Sequence, residues 1–282
     1  MEILIGKTAG FCYGVKRAVE GAKKDNDETE KTIYCLGEIV HNKQVVEELE
    51  NKGIKFIENI EDAKGKTIIR AHGVPKEIYK IAENKNIEII DYTCPNVLRI
   101  HKIAEEYSNN GYYIFLCGSK KHPEIIGTIS HCGKNSSIIE TEEDIEKVIE
   151  EYQKTNINKL LLIAQTTYSL KKFDDIKKII EEKIPKTTEL VIKNTICLAT
   201  ELRQKETQEL SKKVDIMIII GGKNSSNTKK LYEIAKQNCQ NTIYVETKDD
   251  LKNIDKTAKI GIMAGASTPQ KSIEEIVEFL NK

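Results

Sequence analysis

Twelve short runs rich in β-branched residues alternate along this chain with longer segments whose apolar residues recur at spacings of three and four. That alternation constrains the fold more than any other feature, because strands joined through helices pair in parallel and need helices to cover the sheet. The expected strands are Ile3–Ile5, Thr32–Leu36, Lys55–Ile57, Thr67–Arg70, Glu88–Asp91, Tyr112–Cys117, Ser137–Glu140, Leu160–Ala164, Glu189–Ile192, Asp215–Ile220, Thr242–Val245 and Lys259–Met263. Helices are expected at Lys43–Lys52, Lys76–Asn84, Glu142–Tyr152, Phe173–Lys183, Glu201–Lys213, Thr228–Asn238 and Lys271–Leu280, with others directly after Cys12 and Cys94. The fold class is α/β.

The alternation has a longer period, marked by cysteine. From Cys12 the order runs through the loops GEIVHN and RAHGVP to Cys94, and from Cys94 through GSKKHPE and AQTTYS to Cys197. From Cys197 it runs through GGKNSSN and AGASTP, and the strand missing from that last round is supplied by Ile3–Ile5, which leads back to Cys12. We therefore expect three related modules with small, mainly parallel sheets, covering residues 13–94, 95–197, and 198–282 plus 1–12. Closed head to tail, they would bring three cysteines to one axis.

Bulk properties narrow the function classes. With 282 residues, 39% hydrophobic and 31% charged, the chain reads as soluble and globular. Its 44 basic and 44 acidic side chains cancel, which argues against a broad nucleic-acid or anionic-membrane surface. The N-terminal MEILIGKTAGF has neither a basic n-region nor a long apolar h-region, and runs such as Ile216–Ile220 are far too short to span a bilayer. A cytoplasmic location is the expectation. In that reducing setting an odd count of seven cysteines points to ligands or core thiols rather than a disulfide framework.

Ligands of parallel α/β sheets sit beyond the carboxyl ends of the strands. The loops expected there carry His41; His72; His122 with Glu124; Thr166 with Thr167; Ser225, Ser226 and Asn227; and Ser267. Hydroxyls, an amide and histidines at helix N-termini can hold phosphate without a basic patch, and a diphosphate suits so many donors. Cys12, Cys94 and Cys197 each precede an expected helix, where the dipole favours thiolate. By residue type alone the trio suits an iron-sulfur cluster, a zinc ion completed by histidine, or three buried thiols.

FCxGVxRA around Cys12, GEIVHN, AHGV, DxTCP, HPE, QTT, IC-AT, KNSSN and AGAS occur in one order along essentially the whole chain. In these nine motifs the sequence resembles the LytB/IspH family of 4-hydroxy-3-methylbut-2-enyl diphosphate reductases. The resemblance implies a three-module α/β fold around a central [4Fe-4S] cluster held by Cys12, Cys94 and Cys197, with one iron open to the substrate's allylic hydroxyl. It implies diphosphate contacts from His41, His72, His122, Ser225, Ser226, Asn227 and Ser267, a further substrate contact from Thr166, and a proton donor in Glu124 with Thr166 and His122 in its relay. The implied reaction is reductive dehydroxylation to isopentenyl and dimethylallyl diphosphate, with an external electron donor such as ferredoxin or flavodoxin, and with no nucleic-acid or membrane partner. Tyr13 departs from the family pattern, in which alanine is frequent beside the ligand. The rival readings are a zinc-stabilised phosphate-ligand binding protein and a nonredox iron-sulfur hydro-lyase.

Other residues have plainer readings. Cys35 and Cys117 lie within apolar strands and read as core, and Cys132 and Cys239 as structural. His101 and His131 read as solvated or satisfied side chains. No G-x-G-x-x-G or P-loop spacing occurs.

Overall fold

A computed structural model of the chain describes residues 2–252, 254–255 and 257–282. All twelve expected strands are present, in three four-stranded sheets in which every pairing is parallel. The chain divides into two compact units.

The first unit comprises Met1–Asp27, Val40–Gly53 and Leu198–Lys282. Its sheet has the order β1-β12-β10-β11, from β1 (Glu2–Ile5), β12 (Lys259–Ala264), β10 (Ile216–Ile220) and β11 (Thr242–Val245). The N-terminal strand thus joins the last-formed sheet, Ile3 lying beside Ile260 and Ile5 beside Ile262. Around it are α1 (Tyr13–Asp27), α2 (Lys43–Asn51), α8 (Leu198–Ser211), α9 (Ser226–Asn238) and α10 (Gln270–Asn281). The central strands β10 and β12 are buried almost throughout, and Ile218, Ile220, Ile260, Ile262, Ile273 and Ile276 form one core layer.

The second unit comprises Glu28–Ile39 and Ile54–Cys197 and holds two sheets. One has the order β3-β2-β4-β5, from β2 (Tyr34–Leu36), β3 (Lys55–Ile57), β4 (Thr67–Ile69) and β5 (Ile89–Asp91). The other has the order β7-β6-β8-β9, from β6 (Tyr113–Cys117), β7 (Ser136–Ile139), β8 (Lys159–Ala164) and β9 (Glu189–Ile192). Helices α3 (Lys76–Asn84), α4 (Pro95–Asn109), α5 (Pro123–Ile129), α6 (Asp144–Gln153) and α7 (Leu170–Lys183) cover them. Phe115, Leu160, Leu162, Phe173, Ile176 and Ile180 fill the largest core layer.

In each sheet the strand formed first and the strand formed third are the two central ones, and the strand formed last flanks the third, with β1 filling that place beside β12. One topology therefore occurs three times. Expected boundaries shift by one to three residues at several strand and helix ends, and the shift at the start of α7 has a capping cause. Helix α7 begins at Leu170 rather than Phe173 because the Ser169 hydroxyl accepts from the Lys172 N–H. Helix α8 begins directly after Cys197, three residues before the expected Glu201. Among the described residues no helix is long and apolar enough to cross a membrane.

Candidate active site

The three cysteines singled out by the repeat occupy equivalent places, each after the last strand of its sheet and at the start of a helix. Cys12 donates its backbone N–H to the Ala266 carbonyl at 3.1 Å, Cys94 to Ala71 at 3.0 Å and Cys197 to Thr166 at 3.1 Å. Each acceptor lies in the loop after the neighbouring central strand, so one backbone contact recurs in all three sheets. Before two of the cysteines the turn has the same side-chain device. The Asp91 carboxylate accepts from the Thr93 N–H at 2.8 Å, and the Asn194 amide oxygen from the Ile196 N–H at 3.0 Å. Asp91 belongs to the DxTCP motif, and the parallel spelling of NTIC is the sequence signal for Asn194.

No disulfide links any of the seven cysteines. Cys12, Cys94 and Cys197 are partly exposed, whereas Cys35, Cys117, Cys132 and Cys239 are buried, as expected for the core cysteines. Burial pushes the thiols of Cys35 and Cys132 up to about 12, in Cys35 against the lowering effect of Arg70, so neither forms a thiolate at neutral pH. The partly exposed trio is the donor set on offer. Three helix-initial sulfurs, without a carboxylate or histidine in equivalent positions, fit the thiolate ligation of an iron-sulfur cluster.

In the second unit, His72, His122 and Thr166 lie on the loops after the central strands β4, β6 and β8, and Glu124 lies in the first turn of α5. His122 caps α5, its Nδ1 accepting from the Glu124 N–H at 3.1 Å, which leaves Nε2 as the protonated, donating nitrogen of the neutral ring. The rings of His72 and His122 meet edge to face with centroids 5.4 Å apart. Glu124 is 2% exposed, and its two carboxyl oxygens accept from the N–H and the hydroxyl of Thr166, each at 2.6 Å. Burial pushes its pKa up to about 7, even though the Thr166 hydrogen bonds pull it down. A carboxyl so placed holds a proton near neutral pH and can release it, as a general acid must.

In the first unit the loops after β10 and β12 approach the segment bearing His41. Ser267 donates from its hydroxyl to the His41 carbonyl at 3.0 Å. A Cβ on Gly222 would fall 2.7 Å from that same carbonyl oxygen, so only glycine permits the approach. Ser225 caps α9, accepting from the Thr228 N–H at 3.3 Å, which leaves the side chains of Ser226 and Asn227 in its first turn. Asn227 is 4% exposed, yet neither its amide nitrogen nor its amide oxygen has a hydrogen-bond partner among the described residues. Buried amides are nearly always satisfied, so these two atoms stand open to a hydrogen-bonding partner from outside the chain.

A family model described as "LytB protein" matches residues 3–281. The chain belongs to the LytB family. This LytB chain is 45% identical over 288 residues to a 4-hydroxy-3-methylbut-2-enyl diphosphate reductase of Caldanaerobacter subterraneus subsp. tengcongensis, across 99% of this chain and 96% of that one. It is 43% identical over 284 residues to the enzyme of the same name from Clostridioides difficile, across 99% of both. Among solved structures, the E-1-hydroxy-2-methyl-but-2-enyl-4-diphosphate reductase of Plasmodium falciparum superposes with a TM-score of 0.91 at 32% identity, across 100% of this chain and 88% of that one. A second solved structure, (E)-4-hydroxy-3-methyl-but-2-enyl diphosphate reductase, the terminal enzyme of the non-mevalonate pathway, gives 0.72 at 37% identity, across 100% and 99%.

Two readings of the LytB chain need correction or sharpening. His101 and His131 are not solvated: their rings stack at 4.4 Å with 17° between planes, and His101 is 5% exposed. His101 Nε2 and both nitrogens of His131 lack partners among the described residues. Burial, followed by the neighbouring His131, pushes His101 down to about 4, so the stack is a neutral aromatic contact that the helical spacing of His101 did not reveal. Tyr13, beside Cys12, is 74% exposed, so it projects outward rather than packing against its own unit's core.

Proposed function

We propose that the chain catalyses reductive dehydroxylation of 4-hydroxy-3-methylbut-2-enyl diphosphate to isopentenyl and dimethylallyl diphosphate. The observation that carries this reading is the buried Glu124 carboxyl, protonated near neutrality and held by Thr166, whose own carbonyl binds the backbone of Cys197. The relatives' names supply the substrate, and the three equivalent cysteines support the redox chemistry.

In this proposal Cys12, Cys94 and Cys197 hold a [4Fe-4S] cluster. When bound, the cluster supplies electrons one at a time and a Lewis-acidic iron with an open position. His41, His72, His122, Thr166, Ser225, Ser226, Asn227 and Ser267 bind the substrate, the diphosphate above all, and so fix the allylic end by binding energy remote from the reacting carbon. Glu124 protonates the departing hydroxyl, with Thr166 and His122 orienting it. The balance is two electrons and two protons in, one water and one hydrocarbon diphosphate out: one proton leaves in water and the second closes either end of the allyl fragment. The electrons come from an external protein donor such as ferredoxin or flavodoxin. The recurring sheet order supports the assignment of modules to residues 13–94, 95–197, and 198–282 plus 1–12.

Anaerobically purified protein, assayed with the hydroxylated diphosphate and a chemical reductant, tests the proposal. The expected protein is brown and forms both products only when reductant is present. A colourless protein carrying one zinc would establish the binding-protein alternative, and turnover without reductant would establish the hydro-lyase.

A further inference from the structure

Helix α8 starts at the residue after Cys197, and the same helix grips the segment that leads to Cys12. The Glu206 carboxylate accepts from the N–H of Lys7 at 2.7 Å, the N–H of Thr8 at 2.8 Å and the hydroxyl of Thr8 at 2.5 Å. One turn earlier, Arg203 donates from Nη2 to the Gly10 carbonyl at 2.6 Å and from Nη1 to Ala199, within its own helix, at 3.3 Å. Arg203 is 4% exposed, which for a guanidinium signals a placed charge rather than a surface one. Gly10 has φ +94°, in the left-handed region, so its carbonyl is aimed by a conformation that other residues adopt only with strain. Partial burial raises the Glu206 carboxyl, but the donors from Thr8 and Lys7 outweigh it and hold the group below its usual range, ionised. These four contacts with residues 7–10 are charge-assisted and span nearly two hundred residues of sequence.

We propose that Arg203 and Glu206 are positioning residues for the cluster, clamping the Cys12 loop in fixed register to α8. The proposal deepens the functional reading and rests on its assignment of Cys12 and Cys197 as ligands. A loop from strand to helix has no sheet of its own; besides the clamp, the backbone bonds that hold it include Gly6 N–H to Ile262, Cys12 N–H to Ala266 and Lys16 N–H to Cys12. Groups behind a metal ligand fix its orientation, and their loss costs roughly 10- to 100-fold in metal affinity.

The test compares wild type with Arg203→Met, Arg203→Lys and Glu206→Gln. Hydrogen exchange of the metal-free proteins should show faster exchange at the amides of residues 7–12 in Arg203→Met and Glu206→Gln, with far-UV circular dichroism and the amides of β10 unchanged. After anaerobic reconstitution, both variants should lose the cluster in air about tenfold faster than wild type. Arg203→Lys, which keeps a donor for the Gly10 carbonyl, should bring exchange and cluster lifetime back toward wild type. Unchanged exchange at residues 7–12, or faster exchange with a cluster lifetime like wild type, would overturn the proposal. If Arg203→Met does not fold, Glu206→Gln decides by the same exchange and lifetime readings. A wild-type protein that takes up no iron would instead sink the functional reading, while exchange in the metal-free variants would still report whether the clamp exists.

Discussion

Thr166 grips Glu124 with its N–H and hydroxyl, both at 2.6 Å, while its carbonyl accepts the Cys197 N–H at 3.1 Å. One residue thus ties the candidate proton donor to the backbone of a candidate cluster ligand. Changes at either end should be separable, because the carboxyl is bound through one side of Thr166 and the cysteine through the other.

Glu124→Gln removes the proton but keeps the shape. We expect full iron content and substrate affinity, with turnover reduced roughly 10²- to 10⁴-fold. In wild type the rate should decline as pH rises through about 7, where Glu124 loses its proton. An anaerobic pH-rate profile checks both statements, and a rate near that of wild type in the variant would remove Glu124 from the proton path.

Stability should carry two opposed pH limbs. The folded pKa of Glu124, about 7, lies above its ordinary 4.5, so its contribution is complete below 4.5 and lost as pH rises through 7. The folded pKa of His101, about 4, lies below 6.5, so its contribution is complete above 6.5 and lost as pH falls through 4. Each limb amounts to a few kcal/mol at most, at about 1.4 kcal/mol per pKa unit. Denaturant unfolding across pH should show Glu124→Gln flattening the first limb and His101→Phe the second.

Cys197→Ser and Cys117→Ala should part cleanly. The first is expected to leave protein with depleted or unstable cluster and near-normal folding. Cys117 is fully buried, so its replacement should cost about 1 kcal/mol of stability without changing iron content. Iron per chain and thermal unfolding, measured side by side, distinguish them.

Asn227→Ala should trade binding for stability. Removing a buried amide that has no partner among the described residues should stabilise the substrate-free protein by roughly 1 kcal/mol. It should also raise KM for the diphosphate about tenfold or more. A destabilised variant with unchanged KM would show that the amide serves the fold.

Gly222→Ala tests the close approach to His41. The added methyl would meet a backbone oxygen at 2.7 Å, which cannot rotate away, so a cost of about 1–3 kcal/mol and a raised KM are expected. Iron content should stay as in wild type.

The sequence by itself determined the alternation of strands and helices, the return of Ile3–Ile5 to the last sheet, and the loops on which the site residues sit. The alternation and the loops are written in local periodicities and turn chemistry, and the return of Ile3–Ile5 in the threefold repeat along the whole chain. Tertiary structure alone decided which groups lose water. It made Glu124 an acid of neutral pH, stacked His101 on His131, left the Asn227 amide without a protein partner among the described residues, and set Arg203 against Gly10. Protonation and hydrogen bonding at those positions depend on burial and on neighbours distant in sequence, and no local pattern encodes either.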